Sequence, residues 1–121
     1  MHFKEGITIQ ETDDGLVAVI NTLVGVVGHE MGTIIRMEFD KTLRRARTGG
    51  VILDLSVVES LEMSIVGLIN GFWRSLRHDG INLVVVCKGK VEEDFRRVRM
   101  IPDITTTTSL EEAMEILGIT E

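Results

Sequence analysis

The sequence predicts an α/β protein: a mixed β-sheet made of an N-terminal antiparallel hairpin plus parallel βα units, with about four helices. Three observations carry this. From about residue 30 onward, apolar runs of strand length alternate with stretches of helical periodicity. Such alternation forces strand–helix–strand crossovers with parallel neighbours and right-handed connections. The opening stretch ITIQETDDGLVAVINTL instead reads as two strands around Asp13-Asp14-Gly15, a turn that supplies the positive φ angles of a tight hairpin. INLVVVC is a nearly continuous β-branched run, the pattern of a strand covered on both faces.

The elements follow in order. After the hairpin, VGVVGHEMG is rich in glycine and reads as a loop. From about Glu30 to Arg47, Ile34/Ile35, Phe39, Leu43 and Ala46 recur at helical spacing, and Gly49-Gly50 stops that helix. VILDL is a buried strand. A second helix runs from Ser64 to about Arg77 on Ile65, Leu68/Ile69, Phe72/Trp73 and Leu76, and His78-Asp79-Gly80 closes it. INLVVVC is the next strand. A short third helix carries Val91, Phe95 and Val98 and ends before Pro102. TTTT makes a last short strand. Ser109 and Glu112 form a capping box for a final helix that turns Leu110, Ala113, Met114 and Leu117 inward. No internal repeat or linker interrupts the chain, so residues 1–121 are expected to form one domain.

Composition removes several function classes. Apolar residues make up 44% and charged residues 26%, which is globular and not disordered. A net charge of -6 argues against nucleic acid as a partner, because phosphate binding needs a basic face. Arg44, Arg45 and Arg47, and later Arg96, Arg97 and Arg99, are flanked by acids on expected helices and read as solvated faces. The single cysteine, Cys87, excludes an internal disulfide framework and suits a reducing compartment. MHFKEGITIQ lacks the apolar core of a signal peptide, and the hydrophobic segments are too short to cross a bilayer. A cytoplasmic location without membrane insertion is the expectation.

In a sheet of this kind ligands gather beyond the carboxyl ends of the parallel strands. That edge should hold Val24 to His29, Asp54 to Ser64, and Cys87 to Lys90. It contains no glycine-rich dinucleotide or nucleotide fingerprint, and CKGKV has one glycine where a phosphate-cradling loop needs more. His29-Glu30 lacks a second histidine four residues on, which argues against zinc. Asp54, Glu59 and Glu62 could share a hard cation, but such carboxylates more often cap a helix or order a turn. Ser64 has no nucleophile elbow around it. The residues therefore predict no enzyme, no cofactor and no metal. What remains is a helix N-terminus at Ser64, favourable to an anion or a phosphorylated hydroxyl, with capping by Ser64 or Glu62 as the simpler role.

From Val51 to Leu117 the chain resembles the STAS domain, the fold of bacterial anti-sigma factor antagonists. VILDLSVVESLEMSIVGLI matches the family stretch "vvlDls.v.fiDSSGlg.L", and INLVVVCKGKVEEDFRRVRMIPDI matches the stretch after it. SLEEAMEIL matches the closing helix, and Gly25 falls where the family often has a glycine after its second strand. The resemblance implies a binding module that sequesters an anti-sigma factor of the serine-kinase type and so frees a sigma factor. In the family the kinase phosphorylates the first serine of Asp-Ser-Ser, and the added charge ends the interaction. Here the family Asp falls on Glu62, the phosphorylated Ser on Met63, the second Ser on Ser64, the next Gly on Ile65 and the later Gly on Gly67. Met63 has no hydroxyl, so the usual acceptor is missing, and Ser64 is the substitute to consider.

The expected binding surface comprises Gly25, Val27, Gly28 and His29 in the first loop, and Glu59, Ser60, Glu62, Met63 and Ser64 at the corner. Asn70 and Arg74 on the second helix complete it, with Trp73 half-buried beside Phe72. Other STAS roles are alternatives: a scaffold in a signalling complex, or a regulatory subunit of a membrane-transporter ATPase. A nucleotide- or lipid-binding module is an alternative of another class, and a homodimer stays open.

Overall fold

The computed structural model describes residues 7–12, 15–20, 25–45 and 50–118. The expected turn at Asp13-Asp14 lies outside them, as do Val24, Ala46, Arg47, Gly49 and the side chains of Leu43 and Arg45. In chain order the elements are β1 (Ile7–Thr12), β2 (Gly15–Ile20), β3 (Gly25–Val27), a 3-10 turn (His29–Met31), α1 (Gly32–Arg45), β4 (Gly50–Asp54), β5 (Val58–Leu61), α2 (Met63–His78), β6 (Leu83–Val86), α3 (Lys90–Arg97), β7 (Thr105–Thr107) and α4 (Leu110–Ile116). Five strands form one sheet in the order β1-β2-β4-β6-β7. β1 and β2 pair antiparallel with Thr12 opposite Gly15. The pairs β2–β4, β4–β6 and β6–β7 are parallel. The mixed sheet is thus the expected one.

The apolar strands are covered on both faces because their side chains alternate between two cores. Val51 and Leu53 of β4, with Leu83 and Val85 of β6, enter a large core with Ile35 and Phe39 of α1, Ile65, Ile69 and Phe72 of α2, and Phe95 of α3. Ile52, Val84 and Val86 point the other way, onto Ala113 with Leu110, Met114 and Leu117 of α4. Three helices therefore cover one face and α4 the other. Two rings lock α1 to α2: Phe39 and Phe72 stack with centroids 4.1 Å apart and planes 6° from parallel.

Helix ends follow local chemistry. At the end of α2, the Ile81 N–H donates to the Leu76 carbonyl at 2.8 Å and the Gly80 N–H to the Arg77 carbonyl at 3.0 Å, with Gly80 at φ 76°. This is a Schellman ending, in which glycine takes the left-handed position at least cost. At α4 the Ser109 hydroxyl accepts the Glu112 N–H at 3.1 Å. The Glu112 carboxylate reaches back one residue further than the usual box, accepting from the Thr108 N–H at 3.3 Å and the Thr108 hydroxyl at 3.1 Å. Ser109→Ala is expected to cost about 1 kcal/mol, measured by urea unfolding, through loss of that cap.

Four sequence expectations need correction. VGVVGHEMG is not all loop: its β3 pairs in parallel with β5, a strand lying between VILDL and the second helix, as a separate two-stranded sheet. The register runs Gly25 to Val58, then Val26 to Ser60, so Glu59 is an extra residue in a bulge. That bulge breaks the period of two, so Val58 and Leu61 are both buried although three apart, and the strand does not read as one. Gly25 takes φ 67° at the bulge, a left-handed conformation that favours glycine. The first helix begins at Gly32, not Glu30, and of its adjacent isoleucines Ile35 is buried while Ile34 is exposed. Val98 lies just past α3 and is exposed. The second helix begins at Met63 with Glu62 at its cap position, one residue earlier than expected.

Candidate functional site

The β3–β5 pair builds the site. The Gly25 N–H donates to the Val57 carbonyl at 2.9 Å, and the Glu62 N–H donates to the Val27 carbonyl at 3.0 Å. These bonds hold the segment after β3 against the corner between β5 and α2, so the two stretches expected to share a surface do lie side by side. Leu61 and Val27 anchor the pair in the core. Val27 consequently cannot present its side chain to a partner; its neighbour Val26 points outward and is 68% exposed. Alternation along the strand explains the exchange, since in-register neighbours turn to one face and the next residue turns to the other. Gly28 is also buried.

Met63 is the first residue of α2 and 49% exposed. Ser64 follows it, exposed and inside the helix, so it does not occupy the cap position. Glu62 does, but its side chain makes no capping bond. The first turn is held by backbone alone, with the Ile65 and Val66 N–H groups donating to the Glu62 carbonyl at 2.9 and 3.1 Å. The Glu62 carboxylate instead lies 3.3 Å from His29 Nδ1. Capping by Ser64 or Glu62 is therefore not what this corner does. Glu59 is exposed and Ser60 half-buried.

Along α2, Met63, Gly67, Asn70 and Arg74 stand at spacings of four, three and four, which places them on one helix stripe. Asn70 is half-buried and Arg74 exposed. Trp73 is partly buried against the core, as expected, and carries the Arg77 guanidinium 5.4 Å from its ring centroid.

Of the three carboxylates grouped in the sequence, Asp54 stands apart. Its Oδ1 accepts the Ser56 N–H at 3.0 Å and so orders the turn before β5. Glu62 instead joins His29 and Glu30, with one ligand atom from each lying within 4.8 Å of the others. The signal for this grouping was absent from the sequence because β3–β5 pairing creates it. Val57 and Glu30, both exposed, are surface residues that sequence reasoning missed, while exposed Val26 lies within the loop expected to form the surface.

Cys87 is buried at the end of β6. Burial first, and the nearby Glu92 charge second, push its thiol up from 9.0 to about 12. The thiolate is the nucleophile, so Cys87 is expected not to react with a thiol reagent at pH 8 until the protein unfolds. The sign of the linkage is that of a raised acid. Its contribution to stability is complete below the unfolded pKa near 9 and is lost as pH rises toward about 12. Labelling in native buffer and in urea checks this. Rapid native labelling at pH 8 would show that the thiol is open to solvent. Among the described residues no helix is long and apolar enough to cross a membrane. Arg96 pairs with Glu92 at 3.2 Å on α3, in keeping with a solvated face.

The fold has known counterparts. A candidate anti-sigma factor antagonist from Thermotoga maritima superposes with a TM-score of 0.77 at 22% identity, over 92% of this chain and 93% of that one. A variant of RsbS from Moorella thermoacetica gives 0.69 at 18% identity over 92% and 93%. The phosphorylated form of the Bacillus cell-fate determinant SpoIIAA gives 0.63 at 18% identity over 92% and 98%. No curated protein sequence gives a significant match. A profile of the STAS domain matches residues 11–113, and with that match over most of its length the chain belongs to the STAS domain family.

Proposed function

We propose that this chain is a regulatory module that acts by binding an anti-sigma factor of the serine-kinase type, and that the contact is not switched off by a phosphate at residue 63. The observation that carries this reading is Met63, an exposed thioether at the first position of α2, where the family's phosphoacceptor serine stands in the residue-by-residue match. Methionine is unbranched and polarisable and adapts to a partner surface. The proposed contact surface joins Val26, His29, Glu59, Ser60, Glu62, Met63 and Ser64 with Asn70 and Arg74. Gly25 and Gly28 shape its backbone, and Val27 supports it from the core. The structural counterparts whose names include anti-sigma factor antagonists support the reading at the level of fold.

Ser64 offers a hydroxyl one residue later, exposed and inside the first turn, and is the proposed acceptor if the corner is phosphorylated at all. The test is affinity capture from native bacterial lysate with the eluate identified by mass spectrometry. Recovery of a serine-kinase-type anti-sigma factor, with direct binding of the purified pair, is the expected outcome. Recovery of a transporter ATPase or of other STAS proteins alone would overturn the sigma-factor reading.

A further inference from the structure

We propose that His29, Glu30 and Glu62 form a binding site for a divalent transition-metal ion of the zinc class. The donors come from two segments 33 residues apart, the 3-10 turn after β3 and the cap position of α2, and converge at the corner. Imidazole nitrogen and carboxylate oxygen are both zinc donors, and three protein ligands leave a fourth position for water or for a partner's side chain. The spacing agrees. Bonds of about 2.0–2.2 Å in a tetrahedral shell set neighbouring donors about 3.4 Å apart. His29 Nδ1 lies 3.3 Å from Glu62 Oε1 and 3.9 Å from Glu30 Oε1.

Three further features point to a cation here. Among the described residues neither Glu30 nor Glu62 pairs with a lysine or arginine, so two carboxylates face each other with only His29 between them. Glu62 occupies a helix cap position, yet its carboxylate turns away from the helix and toward His29. Gly28 opens the space in which they meet: a Cβ there would lie 2.6 Å from Glu30 Oε1 and 2.7 Å from Glu62 Oε2. Its φ of -106° is open to any residue, so the backbone does not demand glycine at that position. With no Cβ at residue 28, the ends of the Glu30 and Glu62 side chains occupy that space.

An ion at this site would tie the segment after β3 to the start of α2 and cancel negative charge directly beside Met63. Charge at this corner would then be controlled by metal occupancy instead of by a phosphate. That regulatory consequence rests on the docking role proposed above; the metal site itself does not.

The test is isothermal titration of the untagged full chain with zinc chloride, and with magnesium chloride for comparison. The variants are His29→Ala, Glu62→Gln and, as a control on an exposed histidine at the far end of α2, His78→Ala. One zinc per chain is expected, with little magnesium binding, because magnesium dehydrates reluctantly and prefers oxygen donors in an octahedron. Each ligand variant should bind more than about a hundredfold more weakly, beyond the roughly 10–100-fold loss typical of an outer-shell partner. His78→Ala should bind as wild type does. Zinc should also raise the melting temperature of wild type and not that of His29→Ala. Absence of saturable zinc binding, or equal binding by His29→Ala and Glu62→Gln with circular dichroism unchanged, would overturn the site. Equal affinity for magnesium would overturn the zinc-class assignment. Because the titration contains no partner, failure here leaves the partner-binding reading standing, and failure of capture leaves the metal site standing.

Discussion

Met63→Asp is expected to weaken binding of the anti-sigma factor by about 2–4 kcal/mol, the cost of placing an unpaired charge in a desolvated contact. The substitution gives residue 63 the sign of charge that a phosphorylated serine brings to the family's corner. Two features make the result readable. Met63 is half exposed in the free protein, so little core packing is lost. Residue 63 also opens α2, where a carboxylate interacts favourably with the helix dipole by about 0.3–1 kcal/mol. Stability should therefore hold or rise slightly while affinity falls, and the opposite signs separate a lost contact from a misfolded protein. Affinity measured by titration within error of wild type would remove Met63 from the interface.

Phe72→Ala is expected to have the largest effect on stability, about 3–5 kcal/mol. Phe72 is buried in the main core and stacks on Phe39, so the truncation leaves a cavity between α2 and α1 and ends the ring contact. Against a typical total of about 5–15 kcal/mol this is a large fraction. Phe72→Leu keeps most of the apolar volume and should cost less, about 1–2 kcal/mol. Urea unfolding of both variants measures the difference. A cost below about 1 kcal/mol for Phe72→Ala would mean that the stacked pair does not hold the two helices together. The consequence for function follows from position: α1 starts at Gly32, directly after the His29–Met31 turn, and α2 starts at Met63. The pair that packs these helices therefore also fixes the two halves of the proposed surface relative to each other.

How much of this was legible in the sequence depends on the range of the interaction concerned. The run of Leu83 to Val86 could be read as buried on both faces because each side chain contributes its own evidence, and the two cores receive those residues alternately. The ending of α2 at Gly80 and the cap of α4 at Ser109 are local bonds within five residues, written in residue types that favour them. The corner was legible in its location. A strand, a loop and an apolar helix pattern in succession placed Glu62, Met63 and Ser64 at a helix start, to within one residue. Its surroundings were not. β3 is three residues long, β5 is four, and the extra residue Glu59 removes the alternation along β5 that would have revealed it. A strand of three residues is too short to show which of Val26 and Val27 turns inward, so Val27 was taken for a surface residue.

The sequence by itself determined the α/β class, the order of the principal strands and helices, the STAS resemblance and the absence of a hydroxyl at position 63. Each depends on residue type or on periodicity within one element, where neighbours in the chain are also neighbours in space. Only the tertiary structure decided which residues share the corner. Parallel pairing of β3 with β5 joins segments far apart in sequence, and no local pattern encodes its register. That pairing sends Val27 inward and turns Val26 outward. It also sets the Glu62 carboxylate 3.3 Å from His29 across 33 residues of chain, and so turns two unrelated polar residues into one charged site.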